Sequence, residues 1–188
     1  MRKLKLQVQM TVDGFVAGPN GELDWMWANT ERDESSFQKV IELADSCDTI
    51  LLGRKMTRGF IDYWEDVVDN QPDSQEQPLA KRMVNMRKIV FSRTQSAING
   101  RNLEVENGEL AAVIEGLKKE AGKDIMVYGG ANFVSSLISL DLIDEYFIIT
   151  NPAAIGKGLT IFKEKKLLKL ESTITYKNGK VLNKYLPV

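Results

Sequence analysis

Ile125-Met126-Val127-Tyr128-Gly129-Gly130-Ala131-Asn132 is an apolar strand that breaks on two glycines. Phe133, Val134, Leu137 and Ile138 then fall at helical spacing. A strand that turns on glycine into a helix exposes backbone N–H groups to a phosphate. The same glycines also serve tight strand–helix packing, and both readings stand. Working outward, Gly53-Arg54 follows a second apolar strand, Asp48-Thr49-Ile50-Leu51-Leu52, and leads into a short helical stretch to about Phe60. Lys88-Ile89-Val90-Phe91-Ser92 and Glu145-Tyr146-Phe147-Ile148-Ile149 are further short strands.

Helical spacing recurs between the strands. Phe37, Val40, Ile41 and Ala44 mark one helix, and Leu110, Val113, Ile114 and Leu117 another, closed by Gly122. Residues 79–86 can form a helix, and the acidic residues 66–77 read as an exposed loop. At the N-terminus Leu4, Leu6, Val8 and Met10 alternate with Lys3, Lys5, Gln7 and Gln9, a strand with one face less apolar than the other. At the C-terminus, alternation around Leu168–Tyr176 and the Asn178-Gly179 turn predict a β-hairpin. The order argues an α/β fold, three-layer α/β/α, with a mixed, mostly parallel sheet and a C-terminal antiparallel hairpin. Ligands on such sheets lie beyond the carboxyl ends of the strands, here residues 11–14, 53–57, 92–94, 129–132 and 151–158.

The 188 residues fit one domain, 1–188. A hydrophobic share of 43% with 27% charged residues is a globular balance. A net charge of -1 lacks the footprint of a nucleic-acid binder, and no apolar run is long enough for a membrane span. The single Cys47 and the absence of an N-terminal apolar block fit a cytoplasmic setting. There is no histidine, which removes Ser–His and Cys–His nucleophiles and most zinc sites, so no metal is expected. Proton transfer must use Asp, Glu, Lys, Tyr, Cys or water.

Each candidate has a functional and a plain reading. Arg54 is a planar fork suited to phosphate or a solvated side chain after a turn. Ser92, Arg93 and Thr94 are donors for a phosphate, or a solvated strand end. Asp13-Gly14 is turn chemistry or a loop beside a ligand. Trp25 is a core residue or a partner for a flat heterocycle. Glu145 caps a strand or faces a substrate.

Taken in order, several of these segments resemble the dihydrofolate-reductase-like superfamily, in particular its bacterial branch similar to the C-terminal reductase domain of the bifunctional riboflavin-biosynthesis deaminase/reductase. The resemblance rests on Thr11-Val12-Asp13-Gly14-Phe15-Val16-Ala17, Gly21-Glu22-Leu23-Asp24-Trp25, Leu51-Leu52-Gly53-Arg54-Lys55 and Val90-Phe91-Ser92-Arg93-Thr94. It continues through Gly129-Gly130, Leu142-Ile143-Asp144-Glu145, Asn151-Pro152, Gly156-Lys157-Gly158 and Phe162. Two departures stand out. Met56 occupies a position where the dihydrofolate reductase branch has threonine, with Thr57 following it. Arg58-Gly59-Phe60-Ile61-Asp62-Tyr63-Trp64 replaces the stretch that serves a phosphorylated substrate.

The resemblance implies an NADPH-dependent reductase acting on a pyrimidine- or pterin-like heterocycle, and a homodimer. It implies cofactor contacts from Thr11, Gly14, Gly53, Arg54, Thr57, Ser92, Arg93, Thr94, Gly129, Gly130, Ala131 and Asn132. Trp25, Asn151 and Pro152 would face the substrate, and Asp13, Asp24 or Glu145 would handle the proton. The alternatives are dihydrofolate reduction, for which Asp33, Glu34 and Glu42 offer no secure helix carboxylate, and a nucleotide-binding module without turnover.

Overall fold

The computed structural model describes residues 1–27, 31 and 33–188. In chain order these form β1 (Leu4–Thr11), a 3-10 turn (Asp24–Met26), α1 (Glu34–Asp45), β2 (Cys47–Gly53), α2 (Arg54–Asn70), α3 (Gln77–Asn85) and β3 (Arg87–Phe91). There follow β4 (Leu103–Glu106), α4 (Leu110–Lys119), β5 (Asp124–Gly129), α5 (Ala131–Ser139), β6 (Glu145–Asn151), β7 (Leu168–Thr175) and β8 (Val181–Pro187). They fall into two compact units: Met1–Arg2 with Gln38–Gly130, and Lys3–Phe37 with Ala131–Val188.

In the first unit β2 pairs in parallel with β3 and with β5, and β3 pairs in parallel with β4. Ile50, Leu51, Leu52, Ile125, Met126 and Val127 are fully buried, so these strands read as unbroken apolar runs rather than alternations. α2 is longer than the sequence suggested, and the expected loop is reduced to residues 71–76. Phe60, Ile61, Trp64 and Val67 are its buried stripe, while Asp66 and Asn70 bond to each other on the exposed face at 2.7 Å. The acidity of that stretch marks a helix face, not a loop. Gln77 at the start of α3 donates its amide to Val67 O at 2.6 Å and Gln71 O at 2.9 Å, closing the end of α2. Strand β4 was not expected: it is only four residues long and carries Glu104 and Glu106.

Two buried cations hold this unit together. Arg2 donates to Lys123 O, Thr49 Oγ1 and Asp48. Lys88, 2% exposed, donates to Met83 O, Val84 O and Met86 O at 3.1, 2.7 and 2.9 Å, which satisfies carbonyls at the end of α3. Burial pushes its ammonium down to about 8.

In the second unit β1 pairs in parallel with β6, from Lys5 opposite Glu145 to Thr11 opposite Asn151. β8 pairs antiparallel with β6 and with β7. The described pairings are thus mostly parallel, with the antiparallel hairpin at the C-terminus as expected. β1 is buried on both faces: Lys5 and Gln7 are nearly as hidden as Leu4 and Leu6. In the hairpin turn Asn178 Oδ1 accepts from Lys180 N at 3.2 Å, and Gly179 takes φ +81°. A Cβ there would lie 3.2 Å from Pro152 Cγ, so the glycine lets the turn sit against the residue after Asn151.

Candidate functional site

The parallel register of the first unit aligns its strand ends. Gly53 lies opposite Phe91, Leu52 opposite Gly129 and Phe91 opposite Glu106. α2 begins immediately after Gly53, with no side-chain N-cap and no acid in its first turn. Its first residues are Arg54 and Lys55, both exposed, so cations stand where the helix dipole is already positive. An anion would relieve that arrangement. Gly129 adopts φ +154°, a conformation side chains rarely take, and a Cβ there would also fall 2.7 Å from the flexible Met56 Sδ. Thr57 is buried and turns its hydroxyl back onto Gly53 O at 3.1 Å, so it does not replace the expected threonine as an exposed donor.

Beyond β3, the Ser92 hydroxyl accepts from Thr94 N at 3.2 Å and Gln95 N at 2.9 Å. Asn107 donates to Ser92 O and to Gln95 O, holding the loop from the next strand end. Arg93 and Thr94 are left exposed at its tip. Seven arginines are described, and five are ion-paired: Arg2, Arg58, Arg82, Arg87 and Arg101. The two without a carboxylate partner are Arg54 and Arg93, the two at the strand ends. α5 starts at Ala131, half-buried, followed by the exposed Asn132.

In the second unit the loop after β1 is fastened to the loop after β6. Thr11 donates its hydroxyl to Asp13, and Phe15 N donates to Thr11 Oγ1 at 3.0 Å. The other Asp13 oxygen accepts from Ile155 N at 3.0 Å and Gly156 N at 2.7 Å. The Thr11 hydroxyl, then the Gly156 amide, hold the Asp13 carboxyl below the usual carboxylate range. Val12 N bonds to Ala153 O, and Gly14 adopts φ +88°. Gly158 packs so closely on Ala17 that a Cβ would lie 2.2 Å from its carbonyl oxygen.

Asp24 is exposed at the start of the 3-10 turn. Trp25 beside it is 5% exposed, and its indole N–H has no hydrogen-bond partner among the described residues. Asn151 is buried at the end of β6, with Pro152 exposed after it. Glu145 is at the other end of that strand, six residues or about 20 Å away. It is paired with Lys3 at 2.5 Å and Lys184 at 3.3 Å. Burial raises its pKa, but the two ammoniums outweigh that and hold it low. The structure therefore brings Thr11, Asp13 and Gly14 together with residues 151–158 and leaves Glu145 apart. Asp33 caps α1, accepting from Ser35 N and Ser36 N, and Glu42 pairs with Lys39 at the surface.

Lys180 and Gln9 were not anticipated. Lys180 is 9% exposed and reaches Gln9 Oε1 at 3.4 Å, and Gln9 also receives the Asn151 amide at 3.1 Å. Nothing local marks a lysine after an Asn-Gly turn as buried; only the seating of that turn on Pro152 does so.

Comparisons with known proteins agree with this architecture. The family described as RibD C-terminal domain matches residues 2–182, across both units. The chain is 34% identical over 184 residues to protein YyaP of Bacillus subtilis (strain 168), covering 96% of this chain and 92% of that protein. Among solved structures, the diaminohydroxyphosphoribosylaminopyrimidine deaminase/5-amino-6-(5-phosphoribosylamino)uracil reductase of Thermotoga maritima matches with a TM-score of 0.66 at 19% identity, over 100% of this chain and 57% of that one. The dihydrofolate reductase of Enterococcus faecalis, complexed with NADP(H) and RAB-propyl, matches with a TM-score of 0.63 at 14% identity, over 98% and 96%. These likenesses show the fold, a dihydrofolate-reductase-like α/β arrangement with a mixed sheet. With one family model spanning nearly its whole length, the chain belongs to the RibD C-terminal domain family.

Proposed function

We propose that the protein is an NADPH-dependent reductase that delivers hydride to a pyrimidine- or pterin-like heterocycle, similar to 5-amino-6-(5-phosphoribosylamino)uracil reductase. The observation that carries the reading is the pair of unpaired arginines, Arg54 and Arg93, at aligned strand ends where other described arginines are neutralised. Bound NADPH supplies the hydride from C4 of its nicotinamide. Arg54, Lys55 and the free N–H groups of α2 would hold pyrophosphate oxygens, together with Gly129 and Gly130. Arg93 and Thr94 would hold the 2′-phosphate, with Ser92 shaping their loop. The fastened loops at residues 11–14 and 151–158 shape the substrate side and exclude water, with Trp25 as its aromatic wall.

Asp13 is the anchor of those loops rather than the acid, because its carboxylate already accepts three hydrogen bonds. Proton delivery falls to Asp24 or to water held beside it. Glu145 has no part in it. Dihydrofolate reduction is the weaker reading, since Asp33 is engaged as a helix cap and Glu42 as a surface ion pair. A homodimer is part of this reading, on the strength of the family resemblance. The buried Cys47, in no disulfide among the described residues, suits a cytoplasmic setting.

Titration of NADPH and NADH, followed by melting temperature, tests the cofactor assignment. A ligand at a hundred times its Kd stabilises by about 2.7 kcal/mol. NADPH is expected to raise the melting temperature well above the effect of equimolar NADH. No shift with either would overturn the reading, and equal shifts would remove Arg93 from the 2′-phosphate. Oxidation of NADPH with pyrimidine and pterin substrates, followed by absorbance, separates a reductase from a binding module.

A further inference from the structure

The second unit contains an unusual polar group: Gln9 on β1, Asn151 at the end of β6 and Lys180 at the head of β8. Asn151 is 1% exposed. Its amide nitrogen donates to Gln9 Oε1 at 3.1 Å, Ile149 O at 3.3 Å and Met10 O at 3.4 Å. Its Oδ1 is buried and has no hydrogen-bond partner among the described residues. Flipping the amide would set that oxygen against three acceptors, so the neighbours fix which way it points.

Lys180 is nine-tenths buried, and Gln9 Oε1 at 3.4 Å is its only side-chain contact with a hydrogen-bonding group among the described residues. No carboxylate pairs with it there. Burial alone pushes its ammonium below its ordinary range. Lys88 is equally hidden but has three carbonyl acceptors. An ammonium carries three donors, so Lys180 has donors to spare in a place where water does not reach freely. Folding uses the Asn151 amide nitrogen but not its Oδ1, and methionine at 180 would fill the space without spare buried donors.

We infer that Asn151 and Lys180 read the lactam edge of the substrate. A ring N–H donates to Asn151 Oδ1, and the adjacent ring C=O accepts from Lys180 Nζ. Gln9, whose Oε1 accepts from both side chains, is a positioning residue. The inference rests on the reductase reading and names the part of the heterocycle that is recognised. A carboxylate or phosphate would satisfy Lys180 but has no N–H for Asn151. An apolar ring would satisfy neither. A lactam offers a donor and an acceptor side by side in one plane, as pyrimidinone and pterin rings do.

The test uses the full chain without cofactor and three probes: a diaminouracil, its N,N′-dimethyl analogue and inorganic phosphate. Binding is followed by calorimetry and by melting temperature. The diaminouracil is expected to bind, the dimethyl analogue about tenfold more weakly or worse, and phosphate to give no comparable protection. Lys180→Met and Asn151→Leu should each weaken diaminouracil binding by about tenfold. Lys180→Met should leave the melting temperature of the free protein unchanged or raised, which a merely structural lysine would not do. Should Asn151→Leu fail to fold, the Lys180→Met result decides alone.

Three outcomes overturn the inference: no diaminouracil binding, equal binding of the dimethyl analogue, or a Lys180→Met variant that loses stability while keeping affinity. An NADPH titration of the same proteins keeps the two readings apart. Cofactor binding without lactam discrimination overturns the inference alone. Lactam discrimination without cofactor binding overturns the cofactor assignment alone.

Discussion

The two compact units treat their polar side chains in opposite ways. In the first, the buried Lys88 is fully engaged and donates to three carbonyls, while the exposed arginines Arg54 and Arg93 are left without acids. In the second, the exposed carboxylate is engaged: Asp13 accepts three hydrogen bonds, while the buried Asn151 and Lys180 are short of partners. Exposure therefore does not sort structural from functional groups here. What sorts them is whether folding already satisfies each donor and acceptor. The unmet groups differ in kind, surface cations in one unit and a buried amide with an ammonium in the other. The first set suits a multiply charged ligand and the second a neutral polar ring.

The most damaging change should be at the tightest contact of the second unit. Gly158→Ala places a Cβ 2.2 Å from the Ala17 carbonyl oxygen, which is backbone and cannot swing aside. A loss of about 3 kcal/mol is expected in chemical denaturation. An unchanged midpoint would mean that the loops are held more loosely than their hydrogen bonds imply. Lys88→Met comes next, with an expected loss of about 2 kcal/mol from the orphaned carbonyls at the end of α3. If it were neutral, as Lys180→Met should be, the contrast between Lys88 and Lys180 would disappear.

Arg54→Ala and Arg93→Ala probe the opposite property. Each should shift folding stability by no more than about 0.5 kcal/mol, because neither has an internal partner. Each should weaken NADPH binding by about tenfold in calorimetry. Arg93→Ala should also narrow the margin over NADH, whereas Arg54→Ala should weaken both cofactors alike. A stability loss without an affinity loss would class these arginines with the structural ones.

Much of this contrast was legible in the residues, and the reason it was incomplete is specific. Strand ends marked by Gly53, Ser92, Gly129 and Asn151 are visible because apolar runs stop at them. Arg54 and Arg93 follow from that placement, although their lack of partners does not. Glu145 became a candidate because Asp144-Glu145 opens a strand, and only the register with Lys5 shows that it lies at the amino end. Thr57 follows the glycine turn in sequence, but its hydroxyl turns onto Gly53 O and is not available. Long-range pairing decides such cases, and local sequence does not encode it. The helix α2 was cut short for a simpler reason: acidic residues on one face of an amphipathic helix imitate a loop when periodicity is read in too short a window.

The smallest expected effect concerns acid. The folded Asp13 carboxyl titrates below its unfolded value of about 3.9. A depressed carboxyl contributes stability that is fully present above the unfolded value and is lost as pH falls through the folded one. Asp13→Asn removes that titration. It also turns an amide N–H₂ or a neutral oxygen toward the Ile155 and Gly156 amides, which need an acceptor. The variant should therefore be less stable than the parent at neutral pH, and the gap should narrow as pH falls below about 4. Denaturant midpoints measured from neutral pH down to about 3 would show this convergence. Parallel curves would mean that Asp13 is not ionised in its loop contacts, and the second unit would then hold an unmet carboxyl beside its unmet amide. That would return Asp13 to the set of candidate acids and weaken the distinction between anchor and reader on which the contrast rests.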